Sequence, residues 1–114
     1  MTEARSVARY IRASPRKLGQ VLGAIRRKNA QRALDTLEFL PKRAAVVAAK
    51  ALKSALSNLD GKLGRKLQPR EAWVKTALAN GGPVMKRIHT GSMGRAMPYK
   101  HRTCHLTIVV SDQP

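Results

Sequence analysis

The residues best suited to chemistry crowd together near the C-terminus: His89, His101, Cys104 and His105. Imidazole and thiolate groups bind zinc, and a thiolate beside an imidazole makes a nucleophile with its base. The spacing works against both. On a strand, His101 and His105 share one face while Cys104 points to the other, so "HRTCH" cannot gather a zinc ion without breaking the strand. Cys104 reads instead as a small buried hydrophobe, and the histidines as surface groups, open to contact with a partner, rather than as metal ligands. As the single cysteine of the chain it excludes an internal disulfide and fits a reducing compartment. The carboxylates Glu3, Asp35, Glu38, Asp60, Glu71 and Asp112 are scattered, so no paired acids are available for phosphoryl or glycosyl chemistry. "GSMG" runs on into Arg95 and Pro98 rather than into a helix, which removes a phosphate-cradling loop. No catalysis, no metal and no cofactor are expected.

Binding is a different matter, because the formal net charge is +17 over 114 residues with 43% hydrophobic content. Such a chain can build one small core, and its charge surplus is tolerated best beside a polyanion. The charge comes in runs. Nine Lys or Arg and no acid lie between Glu3 and Asp35, and no acid lies between Glu71 and Asp112. "MTEARSVARY" has no apolar run for a signal peptide, and "AAVVAA" is far below the roughly 20 residues of a membrane span. A soluble, cytoplasmic protein with no membrane partner is expected.

The elements that must carry this charge can be read along the chain. "RSVARYIR", Arg5 to Arg12, is an imperfectly alternating strand with Val7 and Ile11 on one side and Ala8 and Tyr10 on the other. Tyr10 is expected to pack on the sheet. Ser14 as N-cap and Pro15 at the first helical position open a helix with Leu18, Val21, Leu22 and Ile25 on one face. The helix is expected to stop at Lys28 or Asn29. Opposite its apolar stripe fall Arg16, Gln20 and Arg27, with Gly19 and Gly23 beside them. Either this is a solvated helix back with two costly glycines, or the glycines let a phosphate backbone approach between arginines, the reading preferred here given the charge.

Asn29 can cap a second helix through Ala30, Ala33, Leu34 and Leu37, ended by Pro41. A third runs from Lys42 to about Asn58 with Ala45, Ala48, Leu52, Ala55, Leu56 and Leu59 inward; its row of Lys42, Lys50 and Lys53 serves solubility or binding equally well. Asp60-Gly61, Gly64 and Pro69 predict a connecting loop over residues 58–71. "AWVKTALAN" and "RTCHLTIVV" then read as strands, the latter alternating Cys104, Leu106, Ile108 and Val110 against Thr103, His105, Thr107 and Val109. Paired antiparallel with Trp73 opposite residues near Val109 or Val110, they place the turn near Thr90 to Gly94. An arm from Trp73 to Thr90 spans ~60 Å at ~3.3 Å per residue, far beyond the ~13 Å radius of gyration of a compact chain of this size. The hairpin must therefore protrude, and "VMKRIHTGSMGRAMPYKHR" has no core of its own to order it.

These residues resemble a known family. "SPRKLGQVLGAIRRKNAQRALDTLEFLPKRAAVVAAKALKSALSN" (14–58), "GPVMKR" (82–87), "GRA" (94–96) and "HRTCHLTIVVSD" (101–112) are similar to the large-subunit ribosomal protein twenty-two family of bacterial type, over nearly the whole chain. The resemblance implies an α+β fold: three helices packed on a three-stranded antiparallel sheet, in one domain over residues 1–114, with a long protruding β-hairpin at about 71–111 and its tip near 85–95. It implies a non-catalytic constituent of the large ribosomal subunit, a monomer within the ribosome, with ribosomal RNA, neighbouring ribosomal proteins and the nascent polypeptide as partners. The tip lining the exit tunnel would be Met85, Lys86, Arg87, Ile88, His89, Thr90, Gly91, Ser92 and Met93. The chain departs from the family where Thr90-Gly91-Ser92 replaces Pro-Arg-Ala, and where Ile25-Arg26-Arg27 replaces Ile-Arg-Gly.

The RNA-binding residues expected from charge and resemblance together are Arg9, Arg12, Ser14, Arg16, Lys17, Arg26, Arg27 and Lys28 in the N-terminal third, with Lys86, Arg87, Arg95, Lys100, His101 and Arg102 on the hairpin. Cations on the arms would neutralise phosphates and release counterions, while folded RNA supplies the shape that selects the site. With one Trp, one Phe and two Tyr, no aromatic platform for single-stranded bases is expected. The alternative is an architectural DNA-binding protein inserting a basic β-ribbon, with Pro98, Met93 or Ile88 as its wedge. A membrane-active helix is a weaker reading, since the first helix carries glycines where Trp, Phe and Leu would be needed.

Overall fold

The computed structural model describes residues 2–114, with β1 (Glu3–Ile11), α1 (Pro15–Gly23), α2 (Ala30–Phe39), α3 (Arg43–Leu63), β2 (Trp73–Thr90) and β3 (Ala96–Ser111) in that order. The three strands form one antiparallel sheet in the order β1-β3-β2. The helices cover one face of its shorter end, which gives the expected α+β architecture of three helices on a three-stranded sheet.

The inward face of β3 is the one its alternation predicts: Cys104, Leu106, Ile108 and Val110 are fully buried. Against them pack Leu18, Val21, Leu22 and Ile25 from α1 and the turn after it, together with Leu52 and Leu59 from α3. Each large aliphatic side chain removed from water contributes roughly 1.5–3 kcal/mol. The remaining inward positions of α3 are Ala45, Ala48, Ala51 and Ala55, and such small side chains let the helix axis lie close to its neighbours.

Three boundaries or faces differ from those read in the sequence. In β1, Ala4 and Ser6 point inward and Val7 outward, because a bulge between Ala8 and Ile11, with Tyr10 at φ 58°, switches the alternation so that Ile11 returns to the core. α1 stops at Gly23, five or six residues early. The chain from Arg27 to Ala30 is instead pinned to the start of β2, with Arg27 N–H donating to Val74 O (3.0 Å), Val74 N–H to Lys28 O (2.9 Å) and Ala30 N–H to Ala72 O (2.8 Å). α3 runs through Asp60-Gly61 to Leu63, because burying Leu59 outweighs the ~1 kcal/mol cost of a helical glycine. Gly64, at φ 70°, then ends it in the left-handed conformation. The β2–β3 register agrees with the expected one, with Trp73 opposite Ser111 and Val74 opposite Val110.

Beyond the core the sheet continues as a bare ribbon. The β2–β3 ladder runs from Trp73↔Ser111 to Thr90↔Ala96, with a second irregularity between Gly81 and Val84. The molecule measures 63 × 25 × 17 Å with a radius of gyration of 17.1 Å, well above the ~13 Å of a compact 100-residue domain. No helix among the described residues is long and apolar enough to cross a membrane.

Candidate nucleic-acid interface

The alternation that builds the core also arranges the charge. On β3 the inward series Val110, Ile108, Leu106, Cys104 continues, where the ribbon leaves the core, as Arg102 and Lys100. Opposite them on β2 stand Val84 and Lys86, and nearer the tip Ile88 faces Pro98. The same ribbon face is thus apolar inside the globular part and cationic just outside it.

The other face carries three cross-strand pairs: Met85 with His101, Arg87 with Tyr99 and His89 with Met97. Tyr99 and His101 meet edge to face with ring centroids 5.1 Å apart, and His89 approaches Tyr99 at 6.2 Å. A row of imidazole and phenol rings flanked by thioethers therefore lies along the arm. Counting aromatic residues misses it; the signal in the sequence is the i, i+2 spacing of Met97, Tyr99 and His101 matched by Met85, Arg87 and His89.

Glycines shape both ends of the arm. Where the ribbon leaves the core, a Cβ on Gly82 would stand 2.7 Å from Thr103 Oγ1 and 3.3 Å from His105 Nε2. Gly82 thus lets the bulge close over Thr103, whose hydroxyl donates to Pro83 O (2.5 Å), and Thr103 is buried there although its neighbours His105 and Thr107 on that face are partly open. At the tip Met93 (φ 59°) and Gly94 (φ 73°) are both left-handed. Gly91 N–H donates to Arg95 O (2.6 Å), which closes the loop and leaves Met93 97% exposed.

At the globular end, α1 begins at Ser14 in extended conformation with Pro15 first in the helix, as expected, although the Ser14 hydroxyl makes no capping bond. Arg9, Arg12, Arg16, Lys17, Arg26, Arg27 and Lys28 are all exposed. Two of them also hold the fold: Arg26 Nε donates to Ala77 O (3.0 Å), and Arg27 occupies a left-handed position at φ 60°. Arg27 lies past the end of α1, so it does not share a helix face with Arg16 and Gln20 as expected. Gly19 and Gly23 have nothing of the protein within 4 Å of where a Cβ would sit, and neither has positive φ. The fold itself therefore does not require glycine at either position. Tyr10 packs on the outer sheet face, 5.0 Å from the His105 ring, yet stays 65% exposed.

Little inside the protein neutralises these cations. Among the described residues the one ion pair joins Lys75 on β2 to Glu3 on β1, across the end of β3. Asp60, Glu71 and Asp112 accept backbone N–H groups of Leu67, Gln68 and Thr2. Chemistry other than charge is also quiet. Among the described residues no group of His, Cys, Asp and Glu is disposed to hold a metal ion. Tyr10 N–H donates to His105 Nδ1 at 3.1 Å, which fixes that nitrogen as an acceptor. Burial pushes the Cys104 thiol above its ordinary range, away from the reactive thiolate.

The family model described as ribosomal protein L22p/L17e matches residues 6–111. The chain is 48% identical over 112 residues to the large ribosomal subunit protein uL22 of Endomicrobium trichonymphae, covering 96% of this chain and 92% of that one. It is 46% identical over 111 residues to the uL22 of Thermoanaerobacter sp. (strain X514), covering 97% and 98%, and 39% identical over 111 residues to that of Clostridioides difficile (strain 630), with the same coverage. A protruding basic ribbon, a charge surplus unmatched within the molecule and a match over nearly the full length agree: the chain belongs to the ribosomal protein L22p/L17e family of structural, non-enzymatic ribosome components.

Proposed function

We propose that this protein is built into the large ribosomal subunit as a single unit, binds ribosomal RNA through its N-terminal basic residues and hairpin arms, and lines the nascent-polypeptide exit tunnel with residues 85–93. The observation that carries this reading is the ribbon itself. It extends a 114-residue chain to 63 Å with almost no buried side chain beyond Thr103, and it holds no carboxylate. A two-stranded ribbon of this kind is marginal in water, so its order comes from a partner that is anionic and wraps both faces. Folded RNA meets both needs, since phosphates neutralise Lys86, Arg87, Arg95, Lys100 and Arg102 while bases offer flat surfaces to Tyr99 and the histidines.

The helix end supports the same partner. Gly19 and Gly23 each cost the helix about 1 kcal/mol relative to alanine, and nothing in the protein fills the space they leave. A phosphate backbone approaching beside Arg16 and Lys17 does. Further partners are neighbouring ribosomal proteins at the globular end and the growing peptide at the tip. A photo-crosslinking amino acid in place of Met93, in ribosomes stalled on a radiolabelled nascent chain, is expected to join the tip to that chain. Crosslinks to RNA alone would contradict the lining role while leaving RNA binding in place.

A further inference from the structure

Charge also gathers in a hollow at the root of the ribbon. A cavity of about 630 Å³ opens between the end of β1, the start of α1, the start of α3 and the emerging arm of β3. Six cations line it, Arg12, Lys17, Lys42, Arg43, Lys100 and Arg102, and no carboxylate does. They come from four separate parts of the chain, so sequence spacing gives no hint of the cluster. Lys42 in particular reads in the sequence as one of a lysine row with Lys50 and Lys53. In the fold Lys42 turns away to the hollow, where its Nζ donates to Gln20 Oε1 (3.2 Å), while Lys50 and Lys53 stay exposed on α3 outside it.

Like charges converging on a concavity raise its potential by focusing, and each added cation raises the work of bringing in the next. Within the protein, the Lys42–Gln20 bond is the one hydrogen bond or ion pair made by any of the six side chains among the described residues. A surface evolved only for solubility spreads its charges; this one gathers them from four segments. The volume falls in the range that holds a compact ligand rather than a flat duplex face.

We infer that this hollow is a phosphate socket that receives a sharply turned RNA strand, whose consecutive phosphates converge on the six cations. The inference rests on the RNA-binding reading above and names the ligand of one part of that surface. Ser14 adds a hydroxyl donor at the rim and His101 a ring. A bend is needed because only a convex strand can enter the concavity and set several phosphates against the cations of its wall. Arg12, Lys100 and Arg102 thereby tie the root of the ribbon to the same strand that contacts α3, which fixes the angle at which the arm leaves the globular part.

Thermal denaturation of the full chain with sodium tripolyphosphate, at ionic strength held constant, tests the socket without any RNA. The wild-type midpoint is expected to rise saturably, and K42Q/R43Q to weaken the apparent tripolyphosphate affinity at least tenfold. K50Q/K53Q, which removes the same charge from the body of α3 outside the hollow, is expected to change it less than twofold. Equal weakening in both double variants, or no rise for wild type, would overturn the socket. In large subunits, K42Q/R43Q is expected to dissociate at a lower salt concentration than K50Q/K53Q, and dissociation at the same salt would likewise overturn it. Absence of the wild-type protein from large subunits would defeat the ribosomal reading instead, and the tripolyphosphate titration would still decide the socket.

Discussion

Arg27 serves two ends that oppose one another. Its exposed cation extends the basic N-terminal surface, yet its backbone sits at φ 60°, where a side chain costs roughly 1–2 kcal/mol and glycine costs nothing. The conformation is imposed by the hydrogen bonds that join residues 27–30 to the start of β2. Arg27→Gly is therefore expected to stabilise the isolated protein by about 1 kcal/mol, raising the melting midpoint by about 4 °C. The same change is expected to flatten the salt dependence of RNA binding by about one unit, the loss of one phosphate contact in the proposed interface. Calorimetry and a salt titration check the two halves separately. The family's Ile-Arg-Gly marks this position in the sequence; the left-handed turn that makes sense of it becomes visible only with the pairing to β2. Cys104 and the inward series of β3 were legible at once, because strict alternation leaves a strand one face to bury.

At the scale of elements, the bulge at residues 81–84 decides where the ribbon stops being part of the core. Gly81 and Gly82 are neighbours with opposite demands: a Cβ at Gly81 meets open space, and one at Gly82 meets the Thr103 hydroxyl at 2.7 Å. Gly82→Ala is expected to destabilise the protein by about 1–3 kcal/mol, the range for overpacking, while Gly81→Ala stays near neutral. Chemical denaturation of the two variants checks this, and equal effects would mean that the bulge does not constrain the arm. The sequence showed Gly82-Pro83 as the place where apolar patterning fades, but not which glycine is required, since that depends on a side chain from the opposite strand. The same limit explains the early end of α1 and the long reach of α3. Tertiary pairing at residues 27–30 and the burial of Leu59 overrode local signals there. Replacing Met85–His101 with an Asn-Gly turn between Val84 and Arg102, which already pair, is expected to leave the globular part folded within about 1 kcal/mol, because the removed side chains add little to the core. Loss of cooperative unfolding in that variant would show that the arm contributes to folding.

For the whole molecule, the governing fact is an asymmetry between one core and a much larger charge. The core is built from short aliphatic side chains and satisfies its own polar groups: no buried side-chain nitrogen or oxygen among the described residues lacks a partner. The charge is left unmatched, and the ribbon is left without packing, until a partner arrives. Net charge, acid-free runs and arm length made that much readable from the sequence alone. The two-faced arm and the hollow at its root were not, because each is made by residues that only the register of β2 against β3 and the approach of α1 and α3 bring together. With folded RNA enclosing the ribbon, as proposed, shape as well as charge would hold the molecule, and it is expected to resist salt better than one held by charge alone. The central claim is tested most directly by sedimenting lysate containing the tagged full chain through sucrose gradients before and after a high-salt wash. Cosedimentation with large subunits that survives the wash is the predicted result. Release to the top of the gradient, or migration with chromosomal DNA, would contradict it.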